Sequence, residues 1–217
     1  MIHTDLDYLR RIANRTDVSS ILREPKFLGA QALFFATVEC LGGSVDFEIA
    51  DMREVHAIAA LGDVKNLRIL DVGCGSTGEY VLDDTFRDRY PPFFAEMAAK
   101  LGAAVTGIDI RPNNTAHYDH RVLDLTKKDW PASLQPPYDI IACLSLFNAP
   151  KSPFEHDSPL CDRVMDDMRT LLAPTGLLIV TLRDDMAERP ERLTDYCTSK
   201  KLDLLHADGN TVWMRPF

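Results

Sequence analysis

The sequence has no C-x-x-C pair, and its cysteines, Cys40, Cys74, Cys143, Cys161 and Cys197, are scattered and odd in number. That argues against a structural zinc and against a disulfide framework, and it fits a reducing compartment. Positive charge is scarce: 24 Lys and Arg stand against 33 Asp and Glu, a net charge of -9. The balance disfavours loose binding to nucleic acid or to an anionic membrane. Long apolar runs are missing. The most apolar stretch, Phe27 to Leu41, is broken by Gln31, Thr37 and Glu39 and falls short of the ~20 residues that cross a bilayer. The start, MIHTDLDYLRR, has neither the basic beginning nor the apolar core of a secretory signal. These absences predict a soluble cytoplasmic protein with no membrane partner. At 217 residues, 46% of them hydrophobic, the chain suits one α/β domain with an N-terminal extension.

What is present is organised around Leu67 to Gly78, LRILDVGCGSTG. Leu67, Ile69, Leu70 and Val72 form the short apolar run of a strand covered on both faces in a parallel sheet. Asp71 interrupts it near its carboxyl end. Gly73 and Gly75 then allow a sharp turn and a close approach of backbone to ligand. Gly73, Gly75 and Gly78 fit the G-x-G-x-x-G fingerprint of dinucleotide enzymes, whose ribose is held by an acid about 20 residues further on. Two features oppose that reading. A carboxylate at Asp71 repels a pyrophosphate and suits a positively charged ligand, and 36 residues separate Gly73 from the next strand-end acid, Asp109. A nicotinamide-dependent oxidoreductase is therefore the less favoured alternative.

Asp71-Val72-Gly73-Cys74-Gly75 resembles the first motif of the class I S-adenosylmethionine-dependent methyltransferases, an acid followed by G-x-G. The cofactor carries a sulfonium and an ammonium, which suits Asp71. The second strand, Ala104 to Ile110, ends on Asp109, where the resemblance places the acid that accepts bonds from the ribose hydroxyls. The third strand, His120 to Leu125, puts Asp124 where the family's acid meets the adenine amine, with the Leu125 backbone beside it. The fourth, Tyr138 to Leu146, leads into the residues that in this family face the transferred methyl group. The resemblance thus sets S-adenosylmethionine against Asp71, Gly73, Cys74, Gly75, Asp109, Ile110, Asp124, Leu125 and Leu144. The stretch LLAPTGLLIV resembles the family's late motif, with Pro174-Thr175-Gly176 as a turn before a fifth strand, Leu177 to Leu182. Leu202 to His206 and Thr211 to Arg215 flank the turn signal Asp208-Gly209. The implied fold is α/β, a Rossmann-like doubly wound seven-stranded sheet with a C-terminal antiparallel hairpin, plus N-terminal helices. Residues 63–217 form the methyltransferase domain and residues 1–62 a helical extension or lid.

Three segments are candidates for acceptor chemistry. In the extension, helices are expected from Asp5, over Ala30 to Leu41, and from Asp51 to Leu61; Arg53 and His56 sit one turn apart on the last, as contacts to the cofactor carboxylate or acceptor or as ordinary surface positions. Residues 80–92 read as an insertion ahead of a helix from Phe93 to Leu101, with Tyr80, Arg87, Arg89 and Tyr90 as contacts to substrate or as plain surface. The loop APKSPFEHDSP, residues 149 to 159, holds His156, a candidate general base for an alcohol acceptor, with Glu155 or Asp157 to orient it. An ordinary exposed histidine is the competing reading. Asn148-Ala149-Pro150 echoes only faintly the Asn-Pro-Pro pattern of amino-group methyltransferases. His117, Asp119 and His120 lack zinc spacing, so no metal is assigned. The expected reaction is methyl transfer to oxygen or nitrogen of a small-molecule acceptor, with a protein acceptor open. A sensor that binds the cofactor without turnover is the alternative.

Overall fold

The computed structural model describes residues 2, 4–13, 18–41, 53–78, 80–83, 86–88, 90–144, 146–183 and 190–217. Among the described residues four helices come first: α1 (Leu6–Ala13), α2 (Val18–Ile21), α3 (Pro25–Cys40) and α4 (Arg53–Leu61). Then follow β1 (Arg68–Val72), β2 (Tyr80–Asp83), β3 (Phe86–Asp88), α5 (Phe93–Lys100), β4 (Ala104–Asp109), β5 (Asp119–Val122) and β6 (Tyr138–Cys143). The chain continues through α6 (Ser158–Leu171), β7 (Leu172–Thr181), α7 (Pro190–Ser199), β8 (Leu202–Asp208) and β9 (Thr211–Pro216). Seven strands make the main sheet in the order β5-β4-β1-β6-β7-β9-β8. The pairs β1–β4, β1–β6, β4–β5 and β6–β7 are parallel, and β9 runs antiparallel between β7 and β8. This is the doubly wound sheet with a terminal hairpin that the sequence predicts. Strand order reverses beside β1, which is where ligands bind in open sheets of this kind.

Successive residues of each strand serve opposite faces. Ile69, Ile140, Ile179 and Trp213 pack with Tyr8, Phe34, Val55 and Met97 from α1, α3, α4 and α5. Their neighbours Leu70, Ile141, Val180 and Met214 pack with Val164 and Met168 of α6 and Leu193 of α7. The N-terminal helices therefore share a core with the sheet, and the packing runs continuously past residue 62. Val55, Ile58 and Leu61 of α4 are all buried, each stabilising by about 1.5–3 kcal/mol. Among the described residues no helix is long and apolar enough to cross a membrane.

Several boundaries differ from expectation. The Tyr8 amide donates to Asp5 Oδ1 at 2.9 Å, the cap read from sequence, but α3 begins at Pro25, well before Ala30, because proline fits the first turn of a helix. Part of the expected 80–92 loop is a two-stranded antiparallel ladder, β2 with β3, bulged between Val81 and Asp83. The side chains of Tyr80, Arg87 and Arg89 lie outside the description. The third strand stops at Val122, which leaves Asp124 and Leu125 in the loop beyond it. Residues 173–176 bulge from β7 instead of preceding it: Tyr138 pairs with Leu172, Ile140 already with Leu177.

Candidate functional site

The glycine loop leaves β1 at its carboxyl end with five of its amides committed to the protein. The amides of Gly73 and Cys74 donate to Ile108 O at 2.9 and 3.0 Å, and that of Ser76 to Tyr90 O at 2.7 Å. The Gly75 amide donates to Asp109 Oδ2 at 3.0 Å and the Gly78 amide to Ser76 Oγ at 3.1 Å. A pyrophosphate cradle works by presenting such N–H groups to the anion; here they are spent. Gly75 has φ +90°, and a Cβ on it would stand 1.9 Å from Tyr90 O, so no side chain fits.

Asp71 is 3% exposed and accepts a hydrogen bond from the Ala95 amide in the first turn of α5. It therefore caps a helix whose own N-cap residue, Pro92, makes no side-chain cap bond. Burial, and then the negative charge of Glu54 at the start of α4, hold its carboxyl well above the usual range. Two acids thus converge at the end of β1, a setting that rewards a positive ligand. Cys74 is buried under the loop, its Sγ 3.6 Å from Tyr118 Oη and 3.7 Å from His120 Nδ1. Burial pushes its thiol up, so it stays protonated. Gly107 makes room for this stack: a Cβ there would meet the Tyr118 ring at 2.4 Å.

Asp109, 7% exposed, is oriented by the Gly75 amide and by the Arg111 amide, which donates to Oδ1 at 2.9 Å. A cleft opens beside it. Asp109, Ile110, Asp124 and Leu125 lie on one side of it; Pro150, Pro153 and Phe154 face them from the loop after β6. Ile110 is 60% exposed, an aliphatic surface at the mouth. Asp124 turns Oδ1 toward the Thr126 amide at 2.9 Å and hydroxyl at 2.6 Å. These bonds, led by the hydroxyl, pull its carboxyl below the usual range. Leu144 is buried, and its carbonyl accepts from Thr181 Oγ1 at 2.7 Å. Arg53 Nη1 reaches that same hydroxyl oxygen at 3.4 Å, which brings the start of α4 to the carboxyl ends of β6 and β7.

The structure thus gathers Asp71, Gly73, Cys74, Gly75, Asp109, Ile110, Asp124, Leu125 and Leu144 along one edge of the sheet. It does not bring His156 there. The His156 side chain is 87% exposed, 3.8 Å from Glu155 Oε1, whereas Ala149, Pro150, Pro153 and Phe154 supply the cleft wall from that loop. Glu155 accepts from the Lys151 amide at 2.6 Å, and Asp157 caps α6 through the Leu160 amide at 2.8 Å. These two acids hold the loop's own shape. His56 does not line the cleft. It lies among the N-terminal helices, Nδ1 3.0 Å from Tyr8 Oη and its ring 5.4 Å from that of Phe27. His117 pairs with the buried Glu96 at 2.9 Å, and His120 Nε2 lies 2.8 Å from Arg111 O. Glu54, Tyr118, Arg163 and Thr181 carried no local sequence signal.

Residues 47–207 match a family described as Methyltransferase domain. The chain belongs to this family and is an S-adenosylmethionine-dependent methyltransferase of class I. Its fold is similar to that of a TehB-like S-adenosylmethionine-dependent methyltransferase from Corynebacterium glutamicum, at 13% identity and TM-score 0.51 over 89% of this chain and 100% of that one. The N-methyltransferase NodS of Bradyrhizobium japonicum is similar at 17% identity and TM-score 0.51, covering 80% of this chain and 100% of NodS. So is the magnesium protoporphyrin IX methyltransferase ChlM of Synechocystis, at 13% identity and TM-score 0.50 over 89% of this chain and 98% of ChlM. Comparison with curated protein sequences returns no match.

Proposed function

We propose that the chain transfers the methyl group of S-adenosylmethionine to an oxygen or nitrogen of a small-molecule acceptor in the cytoplasm. The observation that carries this reading is the reach of Arg53 to Thr181. It sets the start of α4 beside the carboxyl ends of β6 and β7, so the chain's own helix narrows the acceptor side, which favours a small molecule over an extended polymer. When bound, the cofactor supplies an electrophilic methyl on a sulfonium. The side chains around it bind and orient. Asp109, held by two amides, receives the ribose hydroxyls; Asp124 and the Leu125 backbone receive the adenine edge against Ile110. Asp71 and Glu54 stabilise the positive end, and the fixed Leu144 carbonyl marks where the acceptor approaches. With His156 pointing to solvent, the reading rests the rate on alignment of acceptor and methyl, which can remove about 7–11 kcal/mol of barrier in well-oriented systems.

The test has two stages. A thermal shift with S-adenosylmethionine and S-adenosylhomocysteine at ~100 times their dissociation constants should add about 2.7 kcal/mol of stability, with NAD silent. Incubation with labelled cofactor and a panel of small phenols, amines and carboxylates, alongside denatured cell protein and RNA, then reads the acceptor. Label only in protein or RNA would refute the small-molecule reading.

A further inference from the structure

We infer that Arg163 is a positioning residue for the cofactor's base, acting through the backbone it holds. The inference rests on the assignment of Asp124 and Leu125 to the adenine edge. Arg163 lies on α6, away from the cleft lining, with its guanidinium turned to the loop that follows β5. Nη2 donates to Leu125 O at 2.8 Å and Thr126 O at 3.0 Å, and Nη1 donates to Lys127 O at 3.0 Å. Three successive carbonyls thus point at one cation. A planar guanidinium with five fixed donors can hold such a turn, whereas an ammonium acts as a point charge.

The clamp is itself braced. Asp167, one turn along α6, accepts from Arg163 Nη1 at 3.3 Å and from Trp130 Nε1 at 2.9 Å. Trp130 is 2% exposed and packs in the core at the far end of the same loop. The loop is therefore pinned at both ends by one helix. That helix starts directly after the loop carrying Pro150, Pro153 and Phe154, the opposite wall of the cleft. One element thus sets both walls, and the gap between them follows from a single rigid piece. Arg163 orders the backbone that reads the base edge, so its loss should blur discrimination between bases before it abolishes binding.

The experiment compares S-adenosylhomocysteine with S-inosylhomocysteine, in which an oxo group replaces the 6-amino group. Isothermal titration is run on the full chain, on Arg163→Met and Arg163→Lys, and on Asp167→Asn, which keeps the guanidinium and loses its brace. Wild type should prefer the adenosyl ligand. In Arg163→Met that preference should fall about tenfold or more through weaker adenosyl binding, with Arg163→Lys intermediate; KM for S-adenosylmethionine should rise with little change in kcat. If Arg163→Met does not fold, Asp167→Asn carries the test with a smaller loss of preference. A lower melting temperature with the preference intact would show a purely structural residue and overturn the inference. A wild type without adenosyl preference would overturn the adenine assignment beneath it, a failure visible before any variant is made.

Discussion

Replacing Asp109 with Asn separates the anchoring that its carboxylate performs from the ribose contact proposed for it. Oδ2 accepts from the Gly75 amide at 3.0 Å and Oδ1 from the Arg111 amide at 2.9 Å. An amide side chain keeps one acceptor and turns a donor toward the other N–H, so one of these groups loses its partner. At 7% exposure that omission costs about 1–3 kcal/mol before any ligand is added. For a chain of this size about 2–4 °C accompanies each kcal/mol, so the ligand-free variant should melt measurably lower than wild type by scanning calorimetry. Affinity for S-adenosylhomocysteine should fall further, by about 1.5–3 kcal/mol, the scale of a hydrogen bond to a charged group. The two losses are read separately, as a melting temperature without ligand and a dissociation constant at a temperature where both forms are folded. An unchanged melting temperature would refute the loop-anchoring role, and an unchanged dissociation constant the ribose assignment.

Three further outcomes follow from the geometry. Because Asp71 tends toward its protonated form, binding the cationic cofactor should release up to about one proton per chain, fewer for neutral-sulfur S-adenosylhomocysteine; titration in buffers of different ionisation enthalpy counts them, and equal counts in Asp71→Asn would refute the assignment. Gly75→Ala, with its Cβ 1.9 Å from Tyr90 O, should displace the start of α5 and abolish cofactor binding; a variant that binds as wild type does would refute the packing of the loop. His56 has its pKa lowered by burial, so the folded state resists a proton that the unfolded chain accepts below its ordinary value near 6.5. Its stabilising effect is present above that value and is lost as pH falls, by at most about 1.4 kcal/mol per pH unit. The stability advantage of wild type over His56→Gln, from urea unfolding, should narrow between about pH 7.5 and 5.5, and a constant gap would exclude the histidine.

The sheet and the acids at its strand ends were legible because each is a local pattern. A buried parallel strand shows as an apolar run, and an acid at its carboxyl end, as at Asp71 and Asp109, stands out against it. The start of α3 at Pro25 was available to the same reading, since proline favours a first helical turn. Other features exist only through apposition. Thr181 meets Leu144 and Arg53 across 37 and 128 residues, and Arg163 meets the loop after β5 across 36 to 38; no periodicity announces such pairs. His156 shows the converse. Its residue type and place in the chain suggest chemistry, but in an irregular loop the side-chain direction follows local bonds, here those of Glu155 and Asp157, and these leave Phe154 facing the cleft.

The position of β9 has a consequence for how the chain is made. Strands β1, β4, β5 and β6, whose carboxyl ends border the candidate site, are all complete by Cys143. Strand β9 inserts between β7 and β8, both synthesised before it, so on the ribosome β7 keeps an open edge until Thr211–Pro216 emerges. An open edge is a template for mispairing between nascent chains. Trp213, 2% exposed once the strand is seated, lies on that last piece, so its fluorescence marks the moment when an open-edged sheet becomes a sealed protein.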